Sequence, residues 1–180
     1  RRQRQMCIRD SSGGYGSYAQ KDGKASMIRL RMSGGHLTKD KLKFIADSIK
    51  TYNVDKVHLT TCQTIQLHNL QPEAIYGIME GGLDHGIVTM GGGGDFPRNV
   101  TVSPLSGVEK GEYFNVLPYA EAAGEYLMTF IKKEVMPRKL KVGFSNGPAN
   151  ETHATFRDLG FVAREDGNFD VYSCLLYTSP

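Results

Sequence analysis

Residues 87–107 read IVTMGGGGDFPRNVTVSPLSG, and the rest of the chain is organised around this stretch. Four consecutive glycines, at 91–94, separate two apolar runs. Glycine loses more backbone entropy on folding than any other residue, so the run is typical of backbone that turns with positive φ or passes close to something flat or bulky. A flexible linker is the commoner role of a glycine run. The apolar runs on both sides and Arg98 just after the glycines favour a ligand-facing loop instead.

The residues before the glycines predict a compact α+β unit. A Gly-, Ser- and Lys-rich segment at 11–26 is typical of an irregular lead-in. Alternation of apolar and polar residues predicts strands, and apolar residues at helical spacing predict helices. The expected elements are a strand at 27–32, a helix that Thr38 caps, strands at 56–60 and 65–68, a helix at 73–80 that ends on Gly81 and Gly82, and a strand at 87–90. This β-α-β-β-α-β order predicts a ferredoxin-like unit over residues 27–91.

The residues after the glycines predict a second unit over 92–173. The patterns indicate a strand at 99–103, a helix at 119–134, a strand at 137–144, a short helix at 151–156 and a hairpin around Asp166 and Gly167. The pattern stops in the middle of a sheet at Ser173. Together with the sequences of the two ends, this makes us expect a chain that is truncated at both.

The two ends need separate treatment. Residues 6–10 and 174–179 can be encoded by DNA sequences that are inverted complements of each other, and this inverted sequence resembles a transposase end used in library preparation. We therefore expect 1–10 and 174–180 to be adaptor-derived and exclude them from fold reasoning.

Net charge, the length of apolar runs and cysteine content together exclude several classes of protein. The formal net charge of +3 is that of residues 1–10 alone, so a nucleic-acid partner has no support from charge. No apolar run reaches the ~20 residues that cross a bilayer. Without Cys7 and Cys174, which lie in the suspected adaptor ends, Cys62 remains alone and forms neither a disulfide framework nor a thiolate cluster. We expect a cytoplasmic protein with no membrane partner.

Four basic residues are candidates for anion chemistry: Arg31, Arg98, Lys139 and Lys141. In the predicted strand at 137–144, the two lysines share one face because they are two residues apart. A converging set would suit an oxyanion or cofactor carboxylates. The presence of each of these residues is explained equally well by alternating charges on the solvent-exposed face of a half-buried sheet. The five histidines lack metal-ligand spacing, and no Walker loop or nucleophile elbow is present.

Four short motifs, in this order, resemble the sirohaem-dependent nitrite and sulfite reductases. RLRMSGG at 29–35 and LTTCQTIQLH at 59–68 are similar to the ferredoxin-like half-domain of that family. RNV at 98–100 and PRKLK at 137–141 are similar to the start of the adjoining α/β sirohaem and iron–sulfur domain.

The resemblance implies a six-electron reduction of sulfite or nitrite at sirohaem, which receives its electrons through a 4Fe-4S cluster. It implies that the four basic residues surround the substrate anion, and that the cofactor contacts are Gln63, Gln66, His68, Gly92, Gly93 and Asn99. The implied electron donor is a ferredoxin or a flavoprotein. Lys141 matches sulfite reductases better, since the plant nitrite enzymes resemble asparagine there.

Two departures from the family pattern limit what this chain does alone. Position 62, commonly arginine, is Cys62, and a thiol cannot form a charge-assisted bond with a cofactor carboxylate. The cluster cysteines lie farther along in the family, so we expect this fragment to be inactive and to hold no metal itself. Two alternative functions stay open: a precorrin-processing oxygenase of the same fold, and a non-catalytic ferredoxin-like ligand-binding module.

Overall fold

The computed structural model describes residues 13–20, 23, 25–93, 96–131 and 139–173. These residues form two compact units. The first unit lies within 1–32 and 36–94, and the second within 33–35 and 95–180. The suspected adaptor ends, 1–10 and 174–180, lie outside the described residues.

The first unit is a four-stranded antiparallel sheet with two helices packed on one face. Its elements are β1 (Ser17–Ala19), β2 (Ser26–Leu30), α1 (Lys39–Thr51), β3 (Val57–Leu59), β4 (Ile65–Leu70) and α2 (Pro72–Asp84). The strand order is β1-β2-β4-β3. The prediction of an α+β unit is confirmed, as are strands β2, β3 and β4 and both helices.

The alternation along β2 and β4 separates an apolar face from a polar one. Ile28 and Leu30 are fully buried in the core with Leu67 of β4, and the helices supply Ile45 and Ile78 to that core. Because successive side chains of a strand point to opposite faces, Arg29, Gln66 and His68 lie on the other side. Arg29 is paired with Gln66 across the strands, and Gln66 with His58 of β3. We call the face that carries Tyr18, Arg29, Arg31, His58, Gln66 and His68 the polar sheet face.

Helix α1 begins where the sequence predicts. Thr38 is its N-cap, and the hydroxyl of this residue accepts a hydrogen bond from the Lys41 amide at 3.3 Å. Such a cap satisfies one of the amides that the first turn leaves without an intrahelical partner.

Helix α2 is longer than predicted. It passes through Gly81 and Gly82 and ends at Asp84, and Gly86, with φ of 65°, follows the end. The two glycines serve packing: a Cβ on Gly81 would lie 2.9 Å from the ring of Phe44. The prediction that the helix ends at 80 was therefore wrong, because close approach rather than termination requires glycine there.

Two further predictions for the first unit need correction. The segment at 11–26 is not irregular throughout, since β1 lies within it and pairs with β2. The expected strand at 87–90 is reduced to one bridge, in which Val88 and Arg31 exchange backbone hydrogen bonds of 2.7 and 3.3 Å. The two corrections are related: β1 and Gly16 occupy the edge of β2 beside residues 26–29, so Val88 pairs only with Arg31, just beyond the end of β2.

The second unit contains a mixed sheet and one long described helix. Its elements are β5 (Thr101–Val102), α3 (Leu117–Met128), β6 (Val142–Ser145), β7 (Leu159–Ala163) and β8 (Phe169–Ser173). Strands β5, β6 and β7 are parallel neighbours, and β8 is antiparallel to β7. The sheet and α3 enclose a core that includes Val100, Val116, Ala120 and Phe144.

The hairpin around Asp166 and Gly167 is confirmed, with Gly167 at φ of 82°. The predicted helix at 119–134 is found at Leu117–Met128, and residues 132–134 lie outside the described part. The expected short helix at 151–156 is only a 3₁₀ turn, Ala154–Phe156, because His153 adopts a left-handed φ of 51° that interrupts a helix.

In the described residues, no helix is long and apolar enough to cross a membrane.

Candidate functional site

In the second unit, the backbone places Arg98 next to the segment that carries Lys139 and Lys141. The amide of Arg98 donates a hydrogen bond to the carbonyl of Leu140 at 2.7 Å, so Arg98 is held beside the residue that separates Lys139 from Lys141. We call Arg98, Lys139 and Lys141 the basic cluster. Arg98 is half-buried, and both lysines are exposed.

The local backbone differs from the strand that the sequence predicts for 137–144. Strand β6 begins only at Val142, Lys139 lies in a turn with φ of 61°, and residues 137 and 138 are outside the described part. The argument that both lysines share a strand face therefore fails. A left-handed residue other than glycine costs on the order of 1 kcal/mol or more and is held by its surroundings, often at functional sites.

Asp158 is a residue of this region that sequence reasoning missed. Its carboxylate accepts a hydrogen bond from the backbone amide of Lys141 at 2.7 Å. The carbonyl of Lys141 in turn accepts a bond from the Leu159 amide at 3.2 Å. The main chain of Lys141 is thus fixed on both sides, and its contact with Asp158 gives no signal in the sequence because the two residues are far apart in the chain.

Asn99 lies next to the basic cluster in sequence and is 4% exposed. Pro97 and Val100 on either side are buried as well. Arg98 is therefore anchored between buried neighbours, which fixes where its side chain starts.

In the first unit, Gln66 and His68 lie together on the polar sheet face. The Nε2 atom of His68 is 3.1 Å from the Oε1 atom of Gln66, and its Nδ1 atom is 3.3 Å from the Nε2 atom of Gln20. An amide oxygen accepts and an amide nitrogen donates, so these contacts describe a neutral imidazole with its proton on Nε2. Burial, followed by the positive charges of Lys56, His58 and Arg29, lowers the pKa of His68, which agrees with the neutral form.

Gln63 lies outside the strand that carries Gln66 and His68. It occupies the turn between β3 and β4, with φ of 53° and its amide bonded to the Thr60 carbonyl at 3.0 Å. The hydroxyls of Thr60 and Thr64 are 2.7 Å apart and close the same turn. Cys62 lies in this turn as a half-buried thiol.

The last candidate cation, Arg31, lies in the first unit and is 2% exposed. A charged side chain is buried to this degree only when it has polar partners. Its environment is thus unlike that of the two exposed lysines.

Gly92 and Gly93 lie beside the polar sheet face of the same unit. The Nη1 atom of Arg29 donates a hydrogen bond to the Gly92 carbonyl. A Cβ on Gly92 would lie 3.1 Å from Arg29 carbons, and one on Gly93 would collide with the ring of Tyr18. The bulky groups that the glycine run predicts are therefore found within this chain, and Arg29 is a second residue that the candidate set missed.

These features define an α+β protein in which backbone bonds place Arg98 beside the segment of Lys139 and Lys141, and neighbouring cations are suited to an anion. Two family models match the chain in succession: the nitrite/sulfite reductase ferredoxin-like half domain over residues 18–82, and the nitrite and sulphite reductase 4Fe-4S domain over residues 93–176. The chain belongs to the nitrite and sulfite reductase family.

The curated relatives include both nitrite reductases and sulfite reductases. The chain is 30% identical over 150 residues to a ferredoxin–nitrite reductase of Synechococcus elongatus, a match that covers 78% of this chain and 29% of the relative. It is 28% identical over 159 residues to a sulfite reductase [NADPH] hemoprotein beta-component of Nitrobacter hamburgensis, covering 76% and 28%. The chain thus spans less than a third of the length of these relatives.

Solved structures share the fold. The Mycobacterium tuberculosis NirA protein superposes with a TM-score of 0.72 at 24% identity, over 89% of this chain and 33% of that one. Dissimilatory sulfite reductase I gives a TM-score of 0.58 at 16% identity, over 76% and 32%. The mixed α+β architecture is therefore that of a known group of structures.

Proposed function

We propose that this chain is part of a sirohaem-dependent reductase of sulfite or nitrite, and that the basic cluster binds the substrate oxyanion. The observation that carries the proposal is the 2.7 Å bond from the Arg98 amide to the Leu140 carbonyl, which groups one arginine with Lys139 and Lys141. Cations on neighbouring backbone segments can bind an oxyanion through charge-assisted hydrogen bonds. Arg31, in the first unit, is the fourth basic residue that the family resemblance assigns to the anion.

The basic residues have different tasks in this proposal. A guanidinium does not release its proton in proteins, so Arg98 and Arg31 bind charge and orient the anion. An ammonium group can release a proton, so Lys139 and Lys141 deliver protons to the oxygens that leave as water. Both lysines are exposed and can therefore be reprotonated from solvent.

The polar sheet face fits the carboxylate groups of a sirohaem. Gln66 supplies the N–H groups of its side-chain amide there, His68 orients that amide through its bond to the Gln66 Oε1 atom, and Arg29 supplies positive charge beside them. In this proposal, Gln63, Gln66, His68, Gly92, Gly93 and Asn99 contact the cofactor. Sirohaem, when bound, supplies the iron at which the anion is reduced.

The described residues do not fit a 4Fe-4S cluster. Cys62 is the only cysteine among them, and in that part of the chain no group of three or more His, Cys, Asp or Glu side chains could hold a metal. We assign the cluster ligands to the part of the family sequence that this chain does not span.

The electron donor would be a ferredoxin or a flavoprotein, since relatives are named after ferredoxin and NADPH. A cytoplasmic location completes the proposal.

The test uses the longer reading frame, recovered by sequencing source DNA past both ends of this chain. We would express it with a sirohaem supply and record its visible spectrum and iron content. The proposal predicts sirohaem absorption together with cluster iron. A well-folded protein that is colourless and free of iron would contradict it and would favour a non-catalytic ligand-binding module.

A further inference from the structure

Arg29 is held at three points within the first unit. Its backbone amide donates to the Gly16 carbonyl at 3.1 Å, which fixes the start of its side chain. Its guanidinium lies over the ring of Tyr18, with Cζ 5.1 Å from the ring centroid. Its Nη1 atom donates to the carbonyl of Gly92. A planar guanidinium can stack and donate at the same time, which an ammonium group cannot do in this geometry.

The glycine turn at 91–93 is shaped to receive these two side chains. Gly91 has φ of 73°, which favours glycine, and all three residues are buried. A Cβ on Gly92 would approach the Cβ and Cδ atoms of Arg29 to 3.1 Å, closer than nearly all such contacts in proteins. The segment just before the turn is held as well, because the Thr89 hydroxyl donates to the Tyr15 carbonyl at 2.7 Å.

We propose that Arg29 is a positioning residue that, stacked on Tyr18, holds the glycine turn at 91–93 in one conformation before any cofactor binds. The inference rests on the proposed function, since Gly92 and Gly93 are cofactor contacts there. A turn that is already ordered loses less entropy on binding, so the cofactor binds more tightly and in one orientation. Arg29 therefore acts through Gly92 rather than as a charge for the anion.

The first experiment measures hydrogen exchange of the 180-residue chain in peptides from the glycine turn. Arg29→Lys keeps the charge but loses the planar fork, Arg29→Gln loses both, Tyr18→Leu removes the ring, and Tyr18→Phe keeps it. We expect exchange about tenfold faster in the first three variants, as for loss of a charge-assisted hydrogen bond. We expect Tyr18→Phe to stay within about twofold of the wild type, since the ring that the guanidinium covers is retained.

Two results would overturn the inference. Slow exchange in Arg29→Lys would show that positive charge alone suffices. An equal increase in α1 would show that Arg29 stabilises the whole unit rather than the turn.

The second readout separates positioning from general stability. In the longer, sirohaem-loaded protein, Arg29→Lys should shift the visible absorption spectrum and weaken its response to sulfite while the melting temperature stays near that of the wild type. A spectrum and a sulfite response identical to the wild type would contradict the inference. A wild-type protein that never takes up sirohaem would instead refute the proposed function and leave the exchange result standing.

Discussion

The two units hold their cations in opposite ways. In the first unit, the side chains themselves are fixed: Arg31 is buried, and Arg29 is stacked on Tyr18 and bonded to the glycine turn. In the second unit, the backbone is fixed, by the Arg98–Leu140 bond and by the bond from the Lys141 amide to Asp158, while Lys139 and Lys141 remain exposed.

This difference separates cations that are fixed through their side chains, and so contribute to stability, from cations that are exposed on a fixed backbone. A buried or tethered guanidinium contributes to stability and shape, because removing it breaks contacts within the protein. An exposed ammonium group on a fixed backbone contributes little to stability and is available to a ligand. Substitution of the buried Arg31 should therefore lower the stability of the fold, substitution of Arg29 should loosen the glycine turn, and substitutions in the basic cluster should change anion chemistry.

The largest predicted effect contrasts Arg31 with Lys141. Arg31→Gln should lower the free energy of unfolding by about 3 kcal/mol, because it removes the polar contacts that a guanidinium only 2% exposed requires. Lys141→Gln, at an exposed position, should stay within about 0.5 kcal/mol of the wild type. Urea denaturation of the 180-residue chain measures both. Equal effects would remove the distinction between the units.

The second contrast concerns the glycine turn. Gly93→Ala should cost about 1–2 kcal/mol, because its Cβ would displace the Tyr18 ring from Arg29. Gly14→Ala is the matched control, since no atom lies within 4 Å of the Cβ it would add. Thermal melts of both variants compare them. If the two variants melt alike, the close packing of Tyr18 on Gly93 does not contribute to stability.

The third contrast tests the fixed backbone of the basic cluster. Asp158→Ala should cost about 1–2 kcal/mol, because the Lys141 amide loses its acceptor. Asp158→Asn keeps an oxygen that can accept this bond, so its stability should lie closer to the wild type. Chemical denaturation distinguishes the variants. An Asn variant as unstable as the Ala variant would show that the charge of Asp158, rather than its hydrogen bond, is what matters.

The smallest effect is a pH dependence from the polar sheet face. Burial and neighbouring positive charge lower the pKa of His68, so the unfolded chain binds this proton more readily than the folded chain. The stability that His68 contributes is complete above its ordinary value of 6.5 and is lost as the pH falls below it. His68→Gln should flatten this part of the curve of unfolding free energy against pH, whereas Lys141→Gln should leave it unchanged. A slope that persists in His68→Gln would assign it to another group.

Local sequence signals were sufficient to predict a helix start or a tight turn, because these depend on one or two neighbouring residues. Thr38 predicts the start of α1, and Asp166 with Gly167 predicts the hairpin, because caps and tight turns depend on residues next to each other. The strand β1 escaped prediction because three residues in a Gly- and Ser-rich segment show too little alternation. Its pairing along β2 also explains why the predicted strand at 87–90 is reduced to one bridge.

The candidate site was predictable in composition but not in geometry. The basic residues and the glycine run are visible in the sequence. A left-handed lysine has no sequence signal, so the turn at Lys139 could not be foreseen. The contacts of Arg29 with Gly92 and of Asp158 with Lys141 join residues far apart in the chain, and only the folded structure reveals them.

The most direct test of the account measures sulfite and nitrite binding to the longer, sirohaem-loaded protein by visible spectroscopy. The account predicts that replacing Lys139 and Lys141 together by glutamine weakens anion binding at least about tenfold without loss of stability. Replacing both by arginine should retain binding and slow turnover, because charge remains while proton donation is lost. Unchanged anion affinity in the double glutamine variant would contradict the assignment of the basic cluster as the oxyanion site.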